Sequence, residues 1–383
     1  MRPCSARTSI PERATLRSRA VQAARTAIQR QAGGCTCGWG CSREGLLLGY
    51  ADSYRGLKNS TEGCASWAGT KPPADATLTR GKHVSSAIVI TEFGGPEVLQ
   101  WREVTSPEVR PGEVLIRVKA AAVGPTDLHI RAGDLTRVFP QRPGDVLGFE
   151  AAGVVEAVGE GATAHVGEEV AALLPAQGGY GEFATTAVWY PKPASVSWDA
   201  AAALPASADA AVGTLRQIRA TKGETIVVLG AVGAVGSIIM QLARAEGIRV
   251  IGVASEQAAE SVRELGGEFV AFGAGLFDRI DTPVDAVIDA AGHGELTRAV
   301  TAVGDASRVV TLTGGPEVAS SGALLSHPSP DRAPDALATT MPLLASGKLR
   351  LKRRRILPIE AAAEAHRLLE SGETHDKIVL SFG

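Results

Sequence analysis

Ile226-Val227-Val228-Leu229-Gly230-Ala231-Val232-Gly233-Ala234-Val235-Gly236 decides how this chain is read. An apolar run suited to a buried strand stops at three glycines spaced three apart. A helix-forming stretch, residues 237–245, follows directly. Glycine lets the backbone turn tightly and approach a ligand closely, because no Cβ intervenes. N–H groups at the helix start then face an anion, and the helix dipole favours negative charge there. That combination is the design of a dinucleotide pyrophosphate site. A glycine triplet alone is common at strand ends; its place between strand and helix gives it meaning.

Working outward, residues 249–253 form a second apolar run, 257–265 a polar-faced helix and 268–272 a third short run. Residues 284–289, 295–303 and 308–312 continue as strand, helix and strand. Strands alternating with helices of this length imply a parallel sheet covered on both faces. Residues 210–340 therefore read as a doubly wound nucleotide domain of an α/β protein. Between 314 and 335 glycine, serine and proline are frequent and the pattern is lost.

Residues 86–209 have a different grain. Short strands are expected at 87–91, 114–122, 148–158, 169–174 and 181–188, with turns at Phe93-Gly94-Gly95-Pro96 and at 159–161. Closely spaced strands with glycine turns suggest a small β-barrel-like domain. Little helix is expected before Trp198, where Asp199 can cap a helix running to Ala203. Residues 341–383 return to this domain. They hold an amphipathic helix at 359–370, with Ala362, Ala365, Leu368 and Leu369 on its apolar face, and a strand at 377–381.

The 383 residues are 45% hydrophobic and 21% charged, which fits a soluble globular protein of two or three domains. No apolar run approaches the ~20 residues that span a bilayer. The net charge of −2 is unevenly spread: residues 1–83 hold 13 Lys and Arg against 5 Asp and Glu, and the remaining 300 hold 26 against 36. An acidic body argues against a nucleic-acid surface. All five cysteines, Cys4, Cys35, Cys37, Cys41 and Cys64, precede residue 65, so the body has no disulfide, thiolate metal site or cysteine nucleophile. Residues 1–85 are open to three readings: a disordered extension, an organelle transit peptide, or a metal-binding tail through Cys35, Cys37 and Cys41. A cytoplasmic location is expected, or a mitochondrial one if the transit reading holds.

Several motifs together resemble the medium-chain dehydrogenase/reductase superfamily, and within it the zinc-independent quinone oxidoreductase (zeta-crystallin-like) branch. They are Phe93-Gly94-Gly95-Pro96-Glu97-Val98-Leu99, Gly148-Phe149-Glu150-Ala151-Ala152-Gly153-Val154-Val155, Gly179-Tyr180-Gly181-Glu182-Phe183-Ala184, the glycine loop, and Ala345-Ser346-Gly347-Lys348-Leu349. The resemblance covers about residues 86–383. It implies a GroES-like β-rich catalytic domain joined to a Rossmann domain, a homodimer, and a quinone or activated alkene as substrate. Zinc members carry a Cys two residues before a Ser/Thr-Asp pair and a His in a Gly-His-Glu motif. Gly124 and Phe149 stand in those places here, so no metal is expected. Zinc stabilises the alkoxide made by hydride addition to a simple carbonyl. Without it, acceptors whose anion is already delocalised are favoured, and a few hydrogen-bond donors suffice.

The candidate cofactor residues are Gly230, Gly233, Ala234, Val235, Gly236, Ser255, Gly292 and Gly314. No acid ends the second strand at Ala254, and Ser255 can donate to a 2′-phosphate. This favours NADPH, with NADH left open, although Glu256 opposes a phosphate and no Lys or Arg is adjacent. Thr126, Asp127, His129 and Tyr180 are the candidate catalytic residues, with Arg131 beside them. The bland readings are a packing or surface histidine, a turn-capping aspartate and a packing tyrosine. The relatives' nicotinamide-contacting Thr falls at Ala210 here. Three functions compete: quinone reduction, reduction of an enone, alkenal or enoyl thioester, and a non-catalytic nucleotide-binding role.

Overall fold

A computed structural model describes residues 83–329 and 331–383, and all that follows concerns those residues. The readings placed on residues 1–82, including every cysteine, lie outside them.

The β-rich region begins with a hairpin of β1 (Val84–Ile90) and β2 (Leu99–Thr105), antiparallel in register Val84↔Thr105 to Ile90↔Leu99. A seven-stranded sheet follows, built on β3 (Val114–Ala122). Helix α1 (Pro125–Ala132) comes next. Then come β4 (Glu150–Val158), β5 (Glu169–Leu173), β6 (Phe183–Thr186) and β7 (Val188–Pro191). β3 pairs antiparallel with β4 and β6, and β4 with β5. Gly153 permits the β3–β4 approach, since a Cβ there would run into the Arg117 carbonyl oxygen. Ile88, Ile116, Val118, Leu147, Val170 and Leu174 share one buried apolar core. Each such side chain contributes roughly 1.5–3 kcal/mol on burial.

Two features of this region differ from expectation. The sequence reading has almost no helix before Trp198, yet α1 carries every residue of the Thr126–Arg131 cluster. Pro125 at its first turn and the Asp127 carboxylate, which accepts the Gly124 N–H at 2.8 Å, start it. Asp199 is not the cap of α2 (Trp198–Ala202): Ser197 occupies that position, and Asp199 instead accepts from Arg354 Nε at 2.6 Å.

Helix α3 (Pro205–Ile218) carries the chain into the second sheet. It runs through residues 209 and 210, where the sequence reading divides the first region from the second. The sheet comprises β8 (Thr225–Leu229), β9 (Arg249–Ala254), β10 (Glu268–Ala271), β11 (Ala286–Asp289), β12 (Val309–Thr311) and β13 (Leu324–Leu325). Their order is β10-β9-β8-β11-β12-β13 and every pairing is parallel. Between these strands run α4 (Ala234–Ala245), α5 (Ala259–Glu264), α6 (Leu296–Val303) and α7 (Pro316–Ser321). All five residues of β8 are buried. Ile226 and Val228 belong to the core that holds Ala208, Ala211 and Ile238 of α3 and α4. Val227 and Leu229 belong to another, with Leu296 and Ala299 of α6. The alternation shows helices on both faces, as a doubly wound sheet requires.

Helix α8 (Ala336–Ala345) leads out of this sheet to β14 (Arg354–Pro358), α9 (Ala362–Glu370) and β15 (Lys377–Ser381). β15 pairs parallel with β14 and antiparallel with β3, so the chain returns to the first sheet. No helix among the described residues is long and apolar enough to cross a membrane.

Candidate active site

The glycine loop is built from backbone. Gly230 leaves β8 with φ +78°, and its N–H and that of Ala231 both donate to the Val253 carbonyl, at 3.0 and 3.1 Å. The Gly233 N–H donates to Gly230 O at 2.9 Å. Gly233 is extended and precedes α4, which begins with no side-chain cap. The leading N–H groups of α4, at Ala234, Val235 and Gly236, therefore have no side-chain capping acceptor. A Cβ on Gly236 would collide with the Gly230 carbonyl oxygen, whereas one on Gly233 would lie 3.1 Å from it. Gly236 is thus needed by the turn itself, and Gly233 keeps the outer surface of the turn clear. Ser255, exposed, follows β9, and its hydroxyl makes no capping bond.

Asp289 is a residue the sequence reading passed over. It ends β11 fully buried and accepts the N–H groups of Ala291 at 3.0 Å and Gly292 at 2.8 Å, and the Thr311 hydroxyl at 2.9 Å. These bonds fix the loop beyond β11, where Gly292 takes φ +72°. Its sequence signal was an acid closing an otherwise apolar buried run. Gly314 is exposed and open, one residue before the Gly315 that starts α7.

The second cluster is made of side chains. On α1, Asp127 and Arg131 are four apart and share the buried face, while His129 is exposed and Thr126 half-buried. Burial pushes the Asp127 carboxyl up to about 7, against the Gly124 N–H and the charge of Lys377, which both favour ionisation. Lys377 meets Glu150 at 2.7 Å, with both side chains almost wholly buried. The other Glu150 oxygen accepts the Ala206 N–H at 2.8 Å, tying β4 to the start of α3. Tyr180 is fully buried, and its hydroxyl meets His366 Nε2 of α9 at 3.1 Å. Burial first, then the Asp127 charge, raises the Tyr180 pKa well above its usual value. Burial, reinforced by the Arg131 charge, depresses His366 to about 3, so this imidazole is neutral. Arg131, 1% exposed, donates to Gly94 O at 3.0 Å and to Glu370 at 2.8 Å. Tyr180 is thus interior, while His129 lies at the surface with Asp134 3.0 Å from its Nδ1.

Gly124 lies beside this group: a Cβ there would stand 3.6 Å from Asp127 Oδ2 and 3.9 Å from Lys377 Nζ. Phe149 packs edge-on against Phe139 at 5.2 Å. On α3, Ala210 is nearly buried, and the neighbouring Asp209 pairs with Arg332 Nε at 2.9 Å. The aliphatic stem of that arginine occupies the space a side chain at Gly213 would need. The Glu150–Lys377, Tyr180–His366 and Asp209–Arg332 pairs were absent from the sequence reading.

The parallel sheet thus carries an uncapped, glycine-lined turn, and the β-rich region carries a buried polar cluster. An alcohol dehydrogenase GroES-like domain matches residues 110–191, and a zinc-binding dehydrogenase family matches residues 267–380. Quinone oxidoreductase of Rattus norvegicus is 32% identical over 250 residues, which are 61% of this chain and 75% of that protein. The chloroplastic NADPH-dependent alkenal/one oxidoreductase of Arabidopsis thaliana is 28% identical over 352 residues, 86% of each chain. The structure of the quinone oxidoreductase from Coxiella burnetii superposes with a TM-score of 0.70 at 26% identity, covering 79% of this chain and all of that one. The chain belongs to the medium-chain dehydrogenase/reductase family, among its quinone oxidoreductase-like members. Its seven-stranded and six-stranded sheets accordingly belong to the GroES-like domain and the Rossmann-like domain of that family.

Proposed function

We propose that this protein is an NADPH-dependent, zinc-independent oxidoreductase that delivers hydride to a quinone. One pairing carries the reading: a phosphate cradle kept free of a side chain at Gly233, and Gly124 and Phe149 where zinc relatives place metal ligands. Neither residue has a ligand atom, so the donor set does not fit zinc, and no step is routed through a metal.

The N–H groups of Ala234, Val235 and Gly236 would hold the pyrophosphate. Ser255, with no acid at Ala254 to favour a ribose diol, would take the 2′-phosphate. Gly292 and Gly314 would let the cofactor pass the ends of β11 and β12. When bound, the reduced nicotinamide supplies the hydride. The chain's own residues handle charge and protons. Hydride addition to a quinone leaves a phenolate-like anion, and a hydrogen bond from Thr126 stabilises it. One proton completes the hydroquinone, and His129, paired with Asp134 at the surface, conducts it from solvent. Asp127 and Tyr180 act from beneath, Asp127 by holding the start of α1 in place and Tyr180 by fixing the β-rich core against α9. We further propose the division 86–209 and 341–383 for the substrate domain and 210–340 for the nucleotide domain.

Oxidation of NADPH with a panel of quinones, with and without a chelator, tests this reading. Quinone turnover indifferent to the chelator supports it. No quinone turnover, with NADP+ reduced only by plain aliphatic alcohols and that reaction abolished by the chelator, overturns it. A second reading keeps the cofactor and makes the acceptor an alkenal or enone. The plant alkenal/one oxidoreductase, aligned over 86% of both chains, favours it, and an enone panel distinguishes the two.

A further inference from the structure

Two aromatic rings outside the apolar cores meet at the carboxyl edge of the parallel sheet. Phe272, 42% exposed, follows β10, and His293 follows β11. Their centroids are 4.7 Å apart at 46°. Yet β9 and β8 lie between β10 and β11. Neighbouring strands are about 4.8 Å apart, so the two strand ends stand about 14 Å apart. Between them, the loop after β11, which runs four residues from Asp289 to His293, and the two rings close that distance beside the carboxyl ends of β9 and β8, the strands that lead to Ser255 and to the glycine loop. In an open α/β sheet that crevice is where a ligand lies.

The two rings are not equally anchored. The Phe272 N–H donates to Ala254 O at 2.8 Å, which ties it to the sheet. His293 sits between Gly292 and Gly294, at φ +72° and +81°, in the most conformationally permissive kind of backbone. A purine sandwiched between two rings needs about 7 Å, twice a contact distance of ~3.5 Å, so it cannot enter while the pair is closed.

We propose that Phe272 is the platform on which the adenine of NADP(H) stacks, and that His293 is a latch that occupies the platform and is displaced by the purine. The proposal rests on the nucleotide reading above and adds the residues that govern the adenosine half. It predicts opposite effects for the two rings. Titration calorimetry with adenosine 2′,5′-bisphosphate and, separately, with nicotinamide mononucleotide reads them. Phe272→Ala weakens the bisphosphate about tenfold, and Phe272→Tyr restores it. His293→Ala tightens it about two- to tenfold, because a competing ring contact has gone. Neither variant moves the mononucleotide affinity. Weaker or unchanged bisphosphate binding in His293→Ala overturns the latch, and unchanged binding in Phe272→Ala overturns the platform. Gly233→Val, titrated with NADPH, separates the two levels. Lost NADPH binding there alongside inert ring variants removes only the aromatic proposal. NADPH affinity that survives Gly233→Val removes the nucleotide reading beneath it.

Discussion

The parallel-sheet region and the β-rich region solve the problem of holding a polar site in opposite ways. Around the glycine loop the polar groups are backbone N–H groups, and side chains are missing. A Cβ at Gly236 meets a carbonyl oxygen, and α4 starts uncapped. In the β-rich region the polar atoms are long side chains with counter-charges, Asp127, Arg131, Glu150 and Lys377, all withdrawn from solvent. Backbone N–H groups carry no net charge, so their site needs no buried counter-ion. Buried ions must be paired, so their site is sensitive to each partner.

The sharpest way to break this contrast is Lys377→Met. It leaves the Glu150 carboxylate buried without its counter-ion and should cost about 3–5 kcal/mol in urea unfolding. A loss below about 1 kcal/mol would show that charge pairing does not hold this region together. Next in size, Gly233→Val should lower NADPH affinity about a hundredfold, and Gly233→Ala should shift the urea midpoint less than Gly236→Ala, because a Cβ at 233 lies 3.1 Å from the Gly230 carbonyl oxygen and one at 236 collides with it. Gly236→Ala should instead destabilise the fold by about 1–3 kcal/mol, since the turn must move. Equal effects of the two on stability would erase the distinction between ligand glycine and turn glycine.

A further effect concerns pH. The folded pKa of Asp127, about 7, lies above its unfolded value, so the folded chain binds the extra proton. Its contribution is complete below pH ~4 and is lost as pH rises to about 7. The folded pKa of His366, about 3, lies below its unfolded value, so its contribution is complete above pH ~6.5 and is lost as pH falls toward 3. The two slopes oppose each other between pH ~4 and ~6.5. Denaturation midpoints of Asp127→Asn should therefore rise with pH across that window, and those of His366→Gln should fall. Parallel profiles in both variants would refute the assignment. Least of all, Arg117→Ala breaks an ion pair at 3.0 Å whose side chains are 50% and 42% exposed. It should shift stability by no more than about 0.5 kcal/mol, because solvent screens such pairs.

The same contrast explains what could be read beforehand. The strand at 225–229, its glycine turn and the following helix are local, and their chemistry is written in consecutive residues. Strand 114–122 and strand 377–381 declare themselves by composition in the same way. The buried cluster is not local: Arg131 and Glu370 are 239 residues apart, and nothing near either names the other. The start of α1 lies between these extremes. Proline at its first turn and Asp127 reaching back to Gly124 are a start signal, but Gly124 offers no side-chain cap, so the stretch resembles a turn. Tyr180 misleads for a related reason. A tyrosine among glycines suggests an open loop, yet a histidine on α9 closes over its hydroxyl.

The return of β15 to β3 has a consequence during synthesis. The β-rich sheet waits for Lys377–Ser381 to leave the ribosome, whereas the parallel sheet is complete once β13 has emerged. The interrupted region must therefore persist as an open, sticky fragment while its insert folds. Nascent chains stalled before β15 should be the ones that chaperones bind.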